Sequence, residues 1–314
     1  MSNPQPEIRL IRPFEEAFEL MKVILFRPFD LAKWCVIGFA AFLASLSGGG
    51  YHFNFGNWGN HSSSGSGFSW RDTSPWLLLV IGVALLLGVA IFVVLWWVGC
   101  RGRFIFTDCL VRNRAAIAEP WRNYRREGNS LFLFSLAAIA IILLLGALCA
   151  LPVVLLWIET QSDGFSWPGL VALLFLIPFF ILLIVCFAMA QHFMVPIMYG
   201  QRCLARIAFG KVIALAGSYP GDLLLYVLFS IGLAMATGVL VVALMCATCC
   251  LVLIPYVGTV IMLPIFVVYQ AFLLFYLRQF GPDYDVWEGL SPFAPPVQPS
   301  APPPAPEPPA LPSV

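Results

Sequence analysis

Six long apolar stretches, at residues 31–47, 75–99, 131–158, 168–196, 223–245 and 251–277, alternate with shorter polar segments along this chain. An α-helix rises about 1.5 Å per residue, so about 20 apolar residues cross the hydrocarbon core of a bilayer. The pattern predicts an all-α integral membrane protein with six transmembrane helices. The first stretch is short and must borrow length from its flanks. Little more than residues 246–250 separates the last two, which predicts a tight hairpin.

Shorter amphipathic stripes precede alternate apolar stretches. Phe14, Ala17, Phe18, Met21 and Leu25 recur at helical spacing, with Glu15, Glu16, Glu19 and Lys22 between them. Leu204, Ile207, Ala208, Val212 and Leu215 repeat in the same way, and residues 106–117 do so more weakly. Such stripes fit helices lying in a membrane interface. Each is followed by helix punctuation: Pro28-Phe29-Asp30-Leu31, Gly128-Asn129-Ser130-Leu131 and Pro220-Gly221-Asp222-Leu223. There an Asp or Ser oxygen suits the free N–H groups of the next helix's first turn. The expected plan is three helical hairpins across residues 13–280, each preceded by an interfacial amphipathic helix. A polar cytoplasmic segment (residues 1–12), without the pattern of a cleaved signal peptide, precedes them, and a Pro-rich disordered cytoplasmic tail (residues 281–314) follows.

Composition narrows the class. Hydrophobic residues make up 61% and charged residues only 11%, and the mean hydropathy is +0.90. So few charges cannot coat a water-soluble exterior. The 17 Lys and Arg residues also set an orientation. All but Arg71 fall in the N-terminal segment, the second and fourth connections, or the start of the tail. The positive-inside rule then places both termini in the cytoplasm. Trp96 and Trp97 close the second stretch, while Trp157 and Trp167 bracket the third connection, as interfacial rings do. A net charge of +1 excludes a nucleic-acid partner, which needs a surplus of phosphate-neutralising side chains.

No catalytic constellation emerges, and no cofactor or metal motif. Ionisable residues are absent from the depths of the six stretches, which argues against a proton- or sodium-coupled transporter. Gln191 and His192, near the end of the fourth stretch, and Gln270 in the sixth are candidate intramembrane polar contacts. Hydrogen bonding between helices is the ordinary use of such groups. Cys246, Cys249 and Cys250 form the densest cysteine cluster, where an outer disulfide is conceivable but a metal site lacks further ligands. The Gly- and Ser-rich residues 47–74 read as a flexible external loop. In the second connection Arg112, Arg114, Arg122, Arg125 and Arg126, interleaved with Trp121 and Tyr124, are candidate contacts for anionic lipid headgroups. The same arginines also suffice simply to fix topology. The Pro-rich tail offers a polyproline surface to a protein partner.

Phe14 to Phe29, ending in Leu-Phe-Arg-Pro-Phe, the run Gly102-Arg103-Phe104-Ile105-Phe106 and the repeated hairpin plan carry a resemblance. On these features the chain resembles uncharacterised bacterial multi-pass proteins similar to the membrane domain of glycerophosphodiester phosphodiesterases. The resemblance implies a bacterial cytoplasmic membrane, but neither the phosphodiesterase activity nor its catalytic residues. The expected function is non-enzymatic: a scaffold, accessory or lipid-interacting membrane protein. The alternative is a passive carrier or channel with a cavity lined by Ser135, Ser230, Thr237, Gln191, His192 and Gln270.

Overall fold

A computed structural model describes residues 10–47, 75–159, 167–247, 254–287 and 290–293. These residues form ten α-helices: α1 (Ile11–Phe26), α2 (Leu31–Ser45), α3 (Pro75–Val111), α4 (Ala118–Asn123), α5 (Arg125–Glu159), α6 (Trp167–Gln201), α7 (Ala205–Ser218), α8 (Pro220–Ala247), α9 (Pro255–Ile261) and α10 (Leu263–Arg278). A short 3-10 turn, Pro282–Tyr284, follows. The expected external loop, Cys249 and Cys250, the N-terminal nine residues and the Pro-rich run from residue 294 lie outside the described residues. Cys246, at the end of α8, is exposed and forms no disulfide among the described residues.

The long helices are bipartite. α3 has 37 residues and α5 and α6 have 35 each, so each is more than about 50 Å long at 1.5 Å per residue. In each, one part is buried and the remainder is an exposed apolar rod. α3 is exposed from Trp76 to Leu95 and buried from Gly99 to Val111. The buried parts of α5 and α6 are the beginning of the one, near Glu127–Ser135, and the end of the other, near Gln191–Tyr199. These buried ends meet in a packed layer that also holds α1, α2, α4, α7, α9, α10 and the start of α8.

At the centre of the layer lies α10, in which twelve of sixteen residues are buried. A helix that is apolar all round belongs inside protein, and α10 has α1 along one side and α2 and α3 along others. α1 sets Ala17, Leu20, Met21, Ile24 and Leu25 inward. Its outer face carries the exposed pairs Arg12–Glu16 and Lys22–Glu19. The amphipathic reading of this helix therefore corresponds to a polar rim on the layer.

α2 runs antiparallel to the end of α3. Lys33 Nζ donates to Asn113 Oδ1 at 2.8 Å beyond one end, and Ser47 abuts Gly99 at the other. Close approach requires glycine here: a Cβ on Gly99 would overlap the backbone of Ser47, and one on Gly102 that of Leu43 and Ala44. Small residues spaced this way let two helix backbones touch.

The expected six spans are not reproduced as six long helices. Four helices, α3, α5, α6 and α8, are long and apolar enough to cross a membrane. α2 has 15 residues, about 22 Å against the roughly 30 Å of a hydrocarbon core. The sixth expected span is divided at Met262 into α9 and α10. Pro264, in the first turn of α10, lacks the N–H that would continue α9 through this point.

Helix punctuation is only partly where the motifs suggest. Asp30 caps α2, its Oδ1 accepting from the Ala32 N–H at 2.9 Å. Asp222 instead falls within the first turn of α8, where a carboxylate still complements the helix dipole. Asn129 and Ser130 lie inside α5, which begins at Arg125. Residues 106–117 do not form a separate interfacial helix, because α3 runs on to Val111. Asn113 then stops it in a left-handed conformation, φ 49°. The Arg114 N–H bonds back to the Cys109 carbonyl and the Asn113 N–H to that of Leu110, the pairing of a Schellman motif.

Candidate functional site

The second connection folds onto the layer through one buried carboxylate. Asp108, on the last turn of α3, has no exposed surface. Its Oδ1 accepts from the Tyr199 hydroxyl at 3.0 Å and faces Arg112 Nε at 3.2 Å. Its Oδ2 accepts from Arg114 Nε and Nη2 at 3.1 and 2.9 Å. Arg114 also reaches Glu119 at 2.6 Å. Burial works against the Arg114 charge, but the bonds to Glu119 and Asp108 outweigh it and raise its pKa. In the other direction, the hydrogen bond from Arg114 holds the Glu119 carboxyl below its ordinary range. Beside this cluster Tyr124 stacks on Tyr199 with ring centroids 4.9 Å apart. Arg202 lies 3.8 Å over the Tyr124 ring and 3.6 Å from Glu127.

Arg112 and Arg114 are therefore engaged by carboxylates of the same chain. Of the five arginines of the connection that are candidates for headgroup contact, these two already spend donors on Asp108. Arg122, Arg125 and Arg126 are exposed and make no ion pair among the described residues.

Arg122 and Arg125 line a pocket of about 510 Å³ together with Trp97, Arg101 and Trp121. None of these five residues is acidic. Arg101 is the fixed element. Its guanidinium carbon sits 4.2 Å from the Trp97 ring centroid and 5.0 Å from that of Trp121. Its Nε and Nη2 donate to Asn129 Oδ1 at 3.2 and 2.8 Å, and Trp97 Nε1 donates to the same oxygen at 3.0 Å. Cation–π contact on two sides and a shared amide acceptor hold this arginine in place. Gly128 allows the approach, since a Cβ there would collide with Arg101 Cγ. The pocket lies where α3 passes from its exposed apolar part into the packed layer. Arg126 does not line it.

The candidate intramembrane polar residues are dispersed. Gln191 Nε2 donates to Ser135 Oγ at 2.8 Å, and Gln191 Oε1 lies 3.4 Å from Arg103 Nη1. Arg103 is buried, its Nε donating to Ser47 Oγ at 2.7 Å and its Nη2 to the Ser47 carbonyl at 3.0 Å. Gln270 donates to Thr107 Oγ1 at 3.1 Å, joining α10 to α3. His192 is half-buried with its ring edge-on to Phe193. Thr237 pairs instead with Tyr269 at 3.0 Å. Among the described residues no group of three or more His, Cys, Asp or Glu side chains is placed to hold a metal ion.

The profile of a family described as a family of unknown function (DUF7544) matches residues 9–280, most of the chain. The chain belongs to this family. No curated protein and no solved structure matches it. Nothing in the DUF7544 match links the chain to glycerophosphodiester phosphodiesterases, so that resemblance carries no further weight. The match spans all ten helices, α1 to α10.

Sequence reasoning missed Arg101, Arg103 and Asp108 as site residues. Arg101 and Arg103 stand beside Gly99 and Gly102 at the edge of an apolar run and read only as topology markers, and Asp108 drew no reading at all. A usable signal was present: Trp97 and Arg101 are one helical turn apart and share a face.

Proposed function

We propose that this chain is a non-enzymatic integral membrane protein, a lipid-interacting scaffold or accessory protein of a bacterial cytoplasmic membrane. The observation that carries the reading is the molecule's one-sidedness. Exposed large apolar side chains crowd the outer lengths of α3, α5, α6 and α8. Every described Lys and Arg lies in the packed layer or in the connections beside it. Lipid takes the first surface, and the positive-inside rule puts the second at the cytoplasmic face.

Connectivity favours six crossings over four. α3 ends and α8 begins at the layer, while α1, α2 and α10 also belong to it. The chain must change sides before α3 and again after α8, and the backbone crosses lipid only as a helix or within protein. The six apolar stretches of the sequence supply the candidates for these two crossings, the first stretch holding α2 and the last α9 and α10.

A passive carrier fits less well. Ser135 and Gln191, Gln270 and Thr107, and Thr237 and Tyr269 hydrogen-bond one another, which occupies polar groups that a solute route would need.

Two measurements test the proposal. In a cysteine-depleted chain, Trp76→Cys should react with an impermeant thiol reagent in intact cells, and Arg126→Cys only after the cells are opened. Labelling of Arg126→Cys from outside overturns the topology. Proteoliposomes holding the purified chain should leak ions and small polar solutes no faster than empty ones; a saturable flux overturns the accessory role.

A further inference from the structure

The pocket beside Arg101 has the composition of an anion site. Three arginines line it, no carboxylate does, and none of the three makes an ion pair among the described residues. Arg101 commits Nε and Nη2 to Asn129, while its Nη1 has no acceptor among the described residues. A guanidinium fixed in this way presents its remaining donors without further loss of side-chain freedom, and planar guanidinium groups match the oxygens of a phosphate. Arg122 and Arg125 supply two further cations from α4 and the first turn of α5.

Three features decide between a free phosphate and a phosphate carried by a lipid. A volume of about 510 Å³ is of the size that encloses a whole small molecule, well beyond one phosphate. Trp97 and Trp121 form its walls, and indole rings favour the level of lipid headgroups. On the adjoining lengths of α3 and α5, Phe92, Trp96 and Phe132 make a continuous aromatic face, with ring centroids 6.3 and 5.6 Å apart. Phe92 and the neighbouring Leu133 are exposed. That face suits an acyl chain descending from a headgroup held by the arginines.

We propose that the pocket lined by Trp97, Arg101, Trp121, Arg122 and Arg125 binds the phosphodiester of an anionic phospholipid headgroup, with the acyl chains along α3 and α5. This rests on the reading that the same end of α3 lies at the cytoplasmic membrane surface. The arginines divide by role: Arg101 is the preset contact, Arg122 and Arg125 supply attraction, and Arg112 and Arg114 belong to the Asp108 cluster.

The test titrates dihexanoyl-phosphatidylglycerol into the full chain in a neutral detergent, with dihexanoyl-phosphatidylcholine and glycerol 3-phosphate as parallel arms. The phosphatidylglycerol should bind most tightly and lose affinity as salt rises. The double substitution Arg122→Gln with Arg125→Gln should weaken it by at least about tenfold, since two charge-assisted contacts are removed. Arg126→Gln, which removes one charge just outside the pocket, should weaken it less than about twofold, because an exposed charge contributes little. Both substituted surfaces are exposed, and unchanged melting behaviour would show an intact fold. Equal loss in Arg126→Gln, or equal binding of the choline lipid, overturns the site. Glycerol 3-phosphate binding as tightly as the lipid overturns the lipid assignment and leaves a soluble phosphate as the occupant. A failure to bind phosphatidylglycerol, with Arg126→Cys still labelled only in opened cells, sinks this inference alone and leaves the membrane reading intact.

Discussion

Tyr199 of α6 donates its hydroxyl proton to Asp108 of α3 at 3.0 Å, across 91 residues of sequence and inside the packed layer. The bond ties the end of one long helix to the end of another, and Arg112 and Arg114 complete the shell of the same carboxylate. Asp108→Asn removes the buried charge that two guanidinium groups share. Arg114 keeps Glu119 and Arg112 is partly exposed, so the cost is that of charge-assisted hydrogen bonds, about 2 kcal/mol. The substituted protein in detergent should melt at a clearly lower temperature. Tyr199→Phe removes one neutral donor and should cost about 1 kcal/mol, so the two variants should differ visibly in the same scan.

Arg114 joins Asp108 to Glu119, but the two carboxylates are not equivalent. Glu119 is exposed, and its pairing is screened by water. The hydrogen bond from Arg114 holds its folded pKa below the ordinary value, so its stabilisation is fully present above that value. It is lost as the pH falls through the depressed folded pKa. Glu119→Gln should therefore lower the melting temperature slightly at neutral pH, and wild type and variant should converge in acid. A constant gap at every pH would show that the ion pair does not contribute.

The pattern of the chain carried the helical class, the apolar rods and the amphipathic α1 and α7. The end of α5 and the start of α6 fall within one residue of the expected bounds, whereas α5 begins six residues earlier and α6 ends five residues later. It did not carry the depth of packing, because burial inside protein and burial in lipid select the same apolar residues. α10 is the clearest case: Leu263, Phe266, Val267, Phe272 and Leu274 read as a lipid-facing span, and they are covered by other helices. The site was legible in half. Arg122 and Arg125 stood out by charge, but a count of arginines cannot tell which ones a distant carboxylate will take. Asp108 precedes Arg112 by one helical turn, yet its partners include Tyr199, which only the tertiary fold brings near.

The contact of α2 with α3 turns on hydrogen atoms. Gly102→Ala would drive a methyl group into the backbone of Leu43 and Ala44, where no flexible side chain can yield. Overpacking of this type costs about 1–3 kcal/mol. Gly88, on the exposed length of the same helix, has open space where a methyl group would stand, with nothing within 4 Å. Gly88→Ala should be neutral or stabilise by up to about 1 kcal/mol through helix propensity. Comparing the two melting temperatures separates the packed layer from the apolar rod, and equal effects would show that α2 does not press on α3.

Ser130 connects two helices by a cap that neither supplies for itself. The residue preceding α7 is Leu204, which has no side-chain acceptor. The hydroxyl of Ser130, within α5, accepts from the Ala205 N–H at 3.0 Å instead. Ala205 is fully buried, so water cannot replace the lost partner. Ser130→Ala should cost about 1 kcal/mol, the ordinary value of an N-cap, and should speed amide exchange in the first turn of α7 before it affects α5. Ser130→Thr keeps the oxygen and should retain protection. If exchange in α7 is the same in wild type and in Ser130→Ala, the helix is held by its apolar face, Ala208, Val212 and Leu215, and the cross-helix cap contributes nothing measurable.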